Sequence, residues 1–283
     1  MEINNGINEI VEAATQANRK DAGDYVDADG LLHCGKCHEA KQYREADWLG
    51  TGKERLLPVS CACVREAARR DEERRKAEER HRRLEGMRRA GFPDAEMRKW
   101  TFAADDGGSG KAMQVARRYV DNFVTMMESG KGLLLYGNVG SGKSYMAACI
   151  ANALIDQGTP ALMTNFSRIV NQLQETFDGR QRYLDRLNEF DLLVIDDLAA
   201  ERDTDYMWEQ VMNVVDSRYR AGLPMVVTTN LRLEDLTDPS DIRRERVYSR
   251  LVEMCIPVKV SGQDRRGAKA AASMSELRGL LGL

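Results

Sequence analysis

Short apolar runs recur along the last two thirds of the chain and alternate with longer stretches that have a helical pattern. The runs are GLLLY, PALMTN, FDLLVIDDL, LPMVVTTNL and MCIPVKV, which begin at residues 132, 160, 190, 223 and 254. Strands joined by segments long enough for crossover helices lie parallel in one sheet. From about residue 94 onward, the pattern therefore predicts an α/β domain with a doubly wound, parallel five-stranded sheet.

The first third of the chain lacks this alternation. Residues 64–90 are dense in Arg, Glu and Ala, favour helix through propensity and i,i+4 charge pairs, and have no heptad seam. We interpret them as a solvated helical linker. The residues Gly91, Phe92 and Pro93 are expected to end this helix. Residues 1–63 carry the turn signals DADG and LGTGKE and are predicted to form short hairpins in a small module. The expected domains are thus 1–63, 64–93 and 94–283.

The composition limits the partners, the location and the cysteine chemistry that we expect. A net charge of −3 and a pI near 5.8 mean that any contact with nucleic acid must come from a local basic patch. The sequence has no signal-peptide pattern and no apolar stretch of about eighteen residues, so we expect a cytoplasmic location. In that reducing compartment the six cysteines are expected to be thiols or metal ligands rather than disulfides.

A glycine-rich motif follows the first apolar run of the predicted sheet. GNVGSGKS, residues 137–144, matches GxxxxGK[ST] and lies between a predicted strand and a predicted helix. Glycines let the backbone wrap a phosphate, Lys143 reaches the outer phosphates and Ser144 can hold Mg²⁺. The predicted ATP-binding residues here are Gly137, Asn138, Val139, Gly140, Ser141, Gly142, Lys143, Ser144 and Tyr145.

Polar side chains end two further apolar runs. In LLVIDDL, residues 192–198, Asp196 is expected to bind Mg²⁺ through water and Asp197 to polarise the attacking water. Glu201 is a second candidate for the base and ranks below Asp197. Asn230 ends the run MVVTTN, where a neutral amide can orient water against the γ-phosphate; turn formation is the alternative explanation for it.

Arginines suited to stabilising phosphoryl charge follow in two groups. The helical stretch DIRRERVYSRLVEM contains Arg250, whereas Arg243 and Arg244 in the same stretch are interpreted as a solvated helix face. GQDRRG, after the last apolar run, offers Arg265 and Arg266.

With these motifs in place, residues 94–266 resemble an AAA+ ATPase of the DnaA/DnaC branch, and most closely the bacterial replicative helicase loaders of the DnaC/DnaI type. The matching segments are GNVGSGKS, LLVIDDL with LAAER, VVTTN, ERVYSRL and QDRR. The resemblance assigns Arg250 the role of a finger that reaches a neighbouring subunit's nucleotide, and a sensor role to Arg265 or Arg266. About twenty residues follow the last strand, so we expect a reduced lid and weak intrinsic turnover, with ATP acting partly as an assembly switch.

The cysteines near the start of the chain form two close pairs. HCGKCH at 33–38 and CAC at 61–63 make Cys34, Cys37, Cys61 and Cys63 the expected ligands of a tetrahedral Zn²⁺, although His33 or His38 could replace a cysteine. A redox CxxC is the rival interpretation, which the lack of a surrounding thioredoxin-like βαβ pattern disfavours. Cys149 and Cys255 fall in apolar patterns and are expected in the core.

The resemblance also implies partners. Some helicase loaders are similar in having a zinc-binding N-terminal domain that grips the replicative DNA helicase and an AAA+ domain that responds to single-stranded DNA and self-assembles into a helical or ring-like oligomer. Residues 165–190 mix aromatic and basic side chains as single-strand binding requires, but helical packing explains the aromatics equally well. The residues concerned are Phe166, Phe177, Tyr183, Arg168, Arg180, Arg182 and Arg186.

A nucleotide site of this kind also occurs in proteins with three other functions. An IstB-type transposition helper has a similar ATPase core but a transposase and duplex DNA as partners, and the cysteine module argues against it. A nucleotide-gated scaffold would need no hydrolysis. A metabolic P-loop kinase is disfavoured because no segment resembles a pocket for a small substrate.

Overall fold

A computed structural model of the chain describes residues 20–45, 55–105, 110–175, 179–199, 204–239 and 241–262, together with Met274 and Arg278. By internal contacts the chain divides into two compact units, Met1–His81 and Arg82–Leu283. The division falls inside one long helix. Among the helices that the structure describes, none combines the length and the apolar character needed to cross a membrane.

The first unit contains two short hairpins. Strands β1 (Tyr25–Val26) and β2 (Leu32–His33) pair antiparallel, as do β3 (Gln42–Glu45) and β4 (Arg55–Pro58). The predicted DADG turn joins β1 to β2, and the Asp27 carboxylate accepts hydrogen bonds there from the backbone N–H groups of Asp29 and Leu31. The predicted LGTGKE turn lies outside the described residues, in the gap between β3 and β4.

Helix α1 (Ala62–Gly91) matches the helix predicted over 64–90 and begins two residues earlier. Its residues from 64 to 83 are exposed except Glu72, so no tertiary core stabilises this part. Ion pairs between successive turns provide local support instead, for example between Arg70 and Glu66.

The second unit is built on the parallel five-stranded sheet that the sequence predicts, and this prediction is confirmed. The spatial order is β6-β7-β8-β5-β9, and every neighbouring pair is parallel. The strands are β5 (Gly132–Tyr136), β6 (Ala161–Thr164), β7 (Leu192–Leu198), β8 (Met225–Thr229) and β9 (Cys255–Lys259). Their carboxyl ends therefore meet along one edge, where ligands of open α/β sheets bind.

Helices cover both faces of this sheet. They are α2 (Gly110–Asp121), α3 (Phe123–Glu128), α4 (Lys143–Asp156), α5 (Phe166–Glu175), α6 (Arg180–Leu187), α7 (Asp205–Ala221), α8 (Leu233–Thr237) and α9 (Ile242–Met254). Alternate strand residues point to opposite faces. Leu133 and Leu135 join the core cluster with α2 and α4, whereas Leu134 joins the cluster with α5, α7 and α9.

One arginine lies in the core of the second unit. Arg218 of α7 is fully buried and donates hydrogen bonds to backbone carbonyls that precede strands β7 and β8, those of Leu187, Phe190, Asp191 and Pro224. Burial lowers the pKa of this guanidinium to about 10. The side chain thus ties the loop before β7 to the loop before β8.

Candidate nucleotide site and cysteine cluster

A cavity of about 480 Å³ opens at the carboxyl edge of the sheet. The glycine loop after β5, the end of β7 and the end of β8 contribute residues to it, and so does the segment before α2. Its lining is Glu96, Lys99, Trp100, Ala104, Val139, Gly140, Gly142, Lys143, Ser144, Tyr145, Asp196, Asp197, Thr228 and Asn230. The structure therefore brings together six of the nine loop residues predicted to bind ATP and the three predicted at the ends of β7 and β8.

The glycine loop has a backbone that other residues would disfavour. Gly140 and Gly142 have φ values of 78° and 94°, in the left-handed region. Gly137, with φ 150°, passes so close to β9 that a Cβ there would lie 2.3 Å from the carbonyl oxygen of Val260. Helix α4 begins immediately after Gly142, so its N–H groups and the positive end of its dipole face the cavity. This backbone can wrap a phosphate group.

Lys143 connects the loop to the end of β8. Its ammonium group donates to the carbonyl oxygens of Gly137 at 2.9 Å and Asn138 at 2.7 Å, and to the Asn230 amide oxygen at 2.7 Å. Although the residue is only 7% exposed, it lines the cavity. The positive charge thus lies where the glycine loop and the polar strand ends meet.

The two aspartates lie in a β-bulge. Ile195 of β7 pairs with Val227 of β8, but Leu198 pairs with Thr229, so Asp196 and Asp197 lie where the register shifts. Asp197 has a positive φ of 62°. A bulge bends a strand and changes the direction of its side chains, and here both carboxylates line the cavity.

Hydrogen bonds fix these carboxylates. The Thr228 hydroxyl donates to the Asp196 carboxylate at 2.6 Å and accepts from the Asp197 backbone N–H at 2.8 Å. The Asn230 amide nitrogen donates to the Asp197 carboxylate at 2.9 Å. Thr228 was not identified from the sequence, although two successive threonines before Asn230, at the end of an otherwise apolar strand, were a signal. Lys143, Asn230 and Asp197 form one continuous hydrogen-bonded chain.

A second wall of the cavity was also missed in the sequence. Two short 3₁₀ helices, Glu96–Lys99 and Phe102–Ala104, form this wall. The lining residue Trp100 follows the first helix, and the lining residue Ala104 is the last residue of the second. The Tyr145 hydroxyl donates to the Thr101 carbonyl at 2.9 Å, and the buried Asn152 amide donates to the Met97 and Trp100 carbonyls at 2.9 Å each. Side chains of α4 therefore hold this wall against the glycine loop.

Oxygen atoms that line the cavity are suitable ligands for the Mg²⁺ of a bound nucleotide. The Ser144 hydroxyl and the Asp196 carboxylate both line it, and oxygen donors are the ligands that Mg²⁺ prefers. The buried Ser141 hydroxyl has no hydrogen-bond partner among the described residues.

Three predicted residues of the nucleotide site lie outside the described residues. They are Glu201, Arg265 and Arg266.

Arg250 lies away from the cavity lining, on α9. Its guanidinium pairs with the Asp216 carboxylate at 2.9 Å and lies 5.6 Å from the centre of the Tyr219 ring, both on α7. The side chain is 31% exposed. The role of Arg250 toward a neighbouring subunit stays a prediction.

Arg243 is exposed and forms an ion pair with Asp241, as expected for a solvated face. The same expectation is wrong for Arg244, which is half-buried because its guanidinium packs 5.5 Å from the centre of the Trp208 ring.

The four predicted cysteines lie together in the first unit. The sulfur atoms of Cys34, Cys37, Cys61 and Cys63 all lie within 4.8 Å of one another. His33 is outside this group and instead contacts the Asp27 carboxylate at 2.8 Å, while His38 is exposed. The structure therefore gives neither histidine the place of a cysteine.

The chemistry of this cluster fits Zn²⁺. The backbone N–H groups of Cys63 and Glu39 lower the pKa of the Cys37 thiol to about 6, which favours the thiolate that metals bind. Burial raises the pKa of Cys61, and hydrogen bonding to Cys37 raises that of Cys63 to about 11. A metal ion would displace such protons on binding.

The two remaining cysteines are core residues. Cys149 and Cys255 are buried in α4 and β9, and burial raises the pKa of both thiols to about 12. Neither belongs to a group of metal-ligating side chains among the residues that the structure describes.

In the stretch considered for single-strand binding, the described aromatic side chains pack against the core and the basic side chains are exposed. Phe166 is fully buried, Tyr183 packs against the core, and Phe177 lies outside the described residues. Of the two explanations that the sequence leaves open, helical packing therefore holds for Phe166, because α5 turns its ring into the core. Four basic side chains of the stretch remain exposed, those of Arg168, Arg180, Arg182 and Arg186.

Comparison with known proteins gives one family match and several relatives. The model of the family described as IstB-like ATP binding protein matches residues 64–272. The replicative helicase loader DnaC of Escherichia coli (strain K12) is 29% identical over 148 residues, 51% of this chain and 58% of that protein. The replicative helicase loader DnaI of Bacillus subtilis (strain 168) is 26% identical over 149 residues, 48% of each. The chain spans about half the length of these curated relatives.

The fold itself is also found among solved structures. A crystal structure of DnaI matches with a TM-score of 0.50 and 23% identity, over 60% of this chain and 96% of that one. This likeness supports a shared AAA+ fold for the second unit.

Proposed function

Because the chain belongs to the family of IstB-like ATP-binding proteins, we propose that it is an AAA+ ATPase that loads a replicative DNA helicase onto single-stranded DNA. One observation supports ATP hydrolysis above all: Lys143, Asn230 and Asp197 form one hydrogen-bonded chain beside the glycine loop. The loading function rests on relatives that are named replicative helicase loaders. We place the protein in the cytoplasm.

In this proposal each part of the cavity has a separate task. The backbone of the glycine loop and Lys143 bind the phosphates, and the wall around Trp100 receives the base. Ser144 and Asp196 hold Mg²⁺, which neutralises phosphate charge when it is bound. Asp197 orients the attacking water, with Glu201 as the second candidate for that task, and Asn230 keeps the Asp197 carboxylate in place through its amide.

The rest of the nucleotide site comes from outside this cavity. Arg250 completes the site of a neighbouring subunit in a helical or ring-like oligomer, and Arg265 or Arg266 has the sensor role. Basal turnover is weak because the site of a single subunit lacks this arginine. ATP then acts partly as an assembly signal.

The first unit binds the replicative helicase in this proposal. Zn²⁺ held by Cys34, Cys37, Cys61 and Cys63 stabilises a module whose described residues include too few buried side chains to form a strong core. We assign residues 1–63 to this helicase-binding module, 64–93 to the linker and 94–283 to the ATPase. A second cysteine pair beside CxxC is typical of a metal site and is not needed by a redox pair.

A mass measurement tests the loading function. Native mass spectrometry of the full chain with the host's replicative helicase, ATP and Mg²⁺ should give a discrete complex, which Cys61→Ser with Cys63→Ser should abolish. Substitution of the exposed His38 by Asn is the matched control and should leave the complex intact. A chain that forms no complex with the helicase contradicts the loader proposal.

The family description favours one second candidate, an IstB-like transposition helper. Such a protein would assemble with ATP on duplex DNA and would recruit a transposase rather than a helicase. Assembly on duplex DNA without any helicase complex would support it. A nucleotide-gated scaffold would be supported if Asp197→Asn abolished hydrolysis but left helicase loading intact.

A further inference from the structure

We propose that the outward face of the last turns of α1 contacts the phosphodiester backbone of DNA. This surface consists of Arg82, Arg83 and Arg89, with Gly86 and Ala90 between them, and we call it the α1 arginine face. The inference adds a DNA contact that the proposed function does not specify, and it rests on that function for its partner.

The charge pattern changes along α1. Residues 62–79 contain six basic and six acidic side chains, whereas residues 80–91 contain five basic side chains and one acidic one. In the earlier part every arginine and lysine has an ion-pair partner. The partners belong to Arg65, Arg69, Arg70, Arg74, Arg75 and Lys76. Pairing within the helix therefore accounts for these basic residues except Arg65, whose partner is Glu39.

The later part of the helix has much less such pairing among the described residues. Arg82, Arg83 and Arg89 are exposed, and none of them has an ion-pair partner among the residues that the structure describes. The acidic residue of this part, Glu85, is bound to Arg88 at 3.0 Å. Three guanidinium groups thus keep their donors available for an external anion.

Helical geometry places these groups on one side. Residues 82, 86 and 89 follow the i, i+4, i+7 spacing of a single face, and residues 83 and 90 lie beside it. The rise of an α-helix separates Arg82 from Arg89 by about 10 Å along the axis. Space is open around Gly86, where a Cβ would have no neighbour within 4 Å. A backbone with several phosphates can therefore approach between the arginines.

The opposite side of the same turns is anchored to the second unit. Met87 packs against its core, and Phe92, just after the helix, is fully buried. A Cβ at Gly91 would lie 2.2 Å from the Ala161 carbonyl oxygen, so the helix end touches β6 directly. Arg88 also pairs with Asp156 of α4. These contacts fix which way the α1 arginine face points.

Phosphate is the ligand that best fits this chemistry. Arginine binds phosphate oxygens with two parallel N–H groups, and its weak hydration favours such contacts. The whole chain has a net charge of −3, so it can attract a polyanion only through a local patch of this kind. The five residues of the face include no aromatic ring for a base, so we expect binding without sequence preference.

Salt-dependent DNA binding by the full chain tests the proposal. Fluorescence anisotropy of a labelled oligothymidylate and of a labelled mixed-sequence duplex would be measured over a salt series. The variant is Arg82→Gln with Arg83→Gln and Arg89→Gln, which keeps helix propensity and the aliphatic stems. The matched control is Arg70→Gln with Arg74→Gln and Arg75→Gln, which removes the same charge from paired positions of α1.

We expect the variant to bind DNA on the order of tenfold more weakly at moderate salt. Its plot of log affinity against log salt should lose about 2 from the slope on the single strand or about 3 on the duplex. The control should keep the wild-type slope. A loss on one form of DNA identifies that form as the partner and supports the proposal.

Two results would overturn it. Equal losses in variant and control would show that net charge alone matters, and a wild-type chain that binds neither DNA would remove the surface altogether. The helicase complex provides the separate readout: a variant that still forms it, with altered or unaltered DNA binding, leaves the loader function standing.

Discussion

At the residue scale, the geometry around Asn230 explains why an amide is suited to this position. Its oxygen accepts from Lys143 and its nitrogen donates to Asp197, so one neutral side chain joins a cation to an anion. A carboxylate at this position could not donate to Asp197 and would repel the γ-phosphate. A leucine or alanine would leave both charged partners without this hydrogen bond.

Substitution Asn230→Ala should therefore lower kcat for ATP hydrolysis by about ten- to a hundredfold, because Asp197 loses the hydrogen bond that positions it. Nucleotide affinity should change much less, since the glycine loop and Lys143 are intact. Turnover assays with binding measured separately by a fluorescent ATP analogue would check this. Lys143→Ala is the contrasting variant and should lose nucleotide binding itself. A kcat equal to wild type would contradict the assigned role.

Individual residues also show how much of this site could be predicted from the sequence. The glycine loop, the two aspartates and Asn230 follow apolar runs directly, so a linear pattern was enough to place them at one sheet edge. The β-bulge that turns Asp196 and Asp197 into the cavity depends on pairing with β8, which no local pattern in β7 encodes. The cavity wall that contains Trp100 depends on hydrogen bonds from Tyr145 and Asn152, which are distant from Trp100 in the sequence.

At the scale of elements, Arg218 links parts of the second unit that are distant in sequence. One buried guanidinium satisfies carbonyl groups after α6 and before β8. A periodic pattern cannot reveal such a residue, because on the sequence Arg218 looks like any basic residue in the last turn of a helix. The parallel sheet, by contrast, could be predicted because its strands are apolar on both faces and its crossovers are long.

Replacement Arg218→Met should destabilise the protein by about 3 kcal/mol or more, because it leaves buried carbonyl groups without donors. Arg220→Met is the matched control two residues later: its side chain is 77% exposed in an ion pair with Asp216, and the expected change is below about 0.5 kcal/mol. Urea unfolding followed by circular dichroism measures both. Similar midpoints for the two variants would show that the Arg218 hydrogen bonds contribute little.

At the scale of the whole molecule, the two units rely on different sources of stability. The second unit has two large apolar clusters, whereas the buried apolar residues described in the first are Leu32, Cys34 and Cys61. A small module of this kind needs a metal or another cross-link. The cysteine cluster meets that need, and the family match, which begins at residue 64, leaves it outside the ATP-binding region.

Chelation of zinc should therefore affect the units unequally. We expect a strong chelator to release about one equivalent of Zn²⁺ and to expose four reactive thiols, while ATP binding by the second unit changes less than about twofold. Metal analysis, thiol titration and nucleotide binding on the same sample measure this. Cys255→Ser, in the core, is a control that should keep the metal. Loss of ATP binding in parallel with the metal would contradict separate stabilisation.

Assembly gives the last prediction, which concerns Arg250. The structure holds its guanidinium near Asp216 on α7, outside the cavity of its own chain, so direct contact with a nucleotide requires the site of a neighbouring subunit. Arg250→Ala should bind ATP normally but lower assembly-dependent hydrolysis by about a hundredfold or more. Lys143→Ala should be inactive because its own site is empty, although it still presents Arg250.

A mixture of these two inactive variants should regain hydrolysis, because the intact site of one subunit then meets the arginine of the other. The rate should rise with the square of total protein at low concentration, as expected when a neighbour is needed. Arg246→Ala, one turn earlier on α9 and exposed, is the control and should retain activity alone. If the mixture is no more active than its components, Arg250 serves its own subunit by fixing α9 against α7, and the ion pair with Asp216 is then its main contribution.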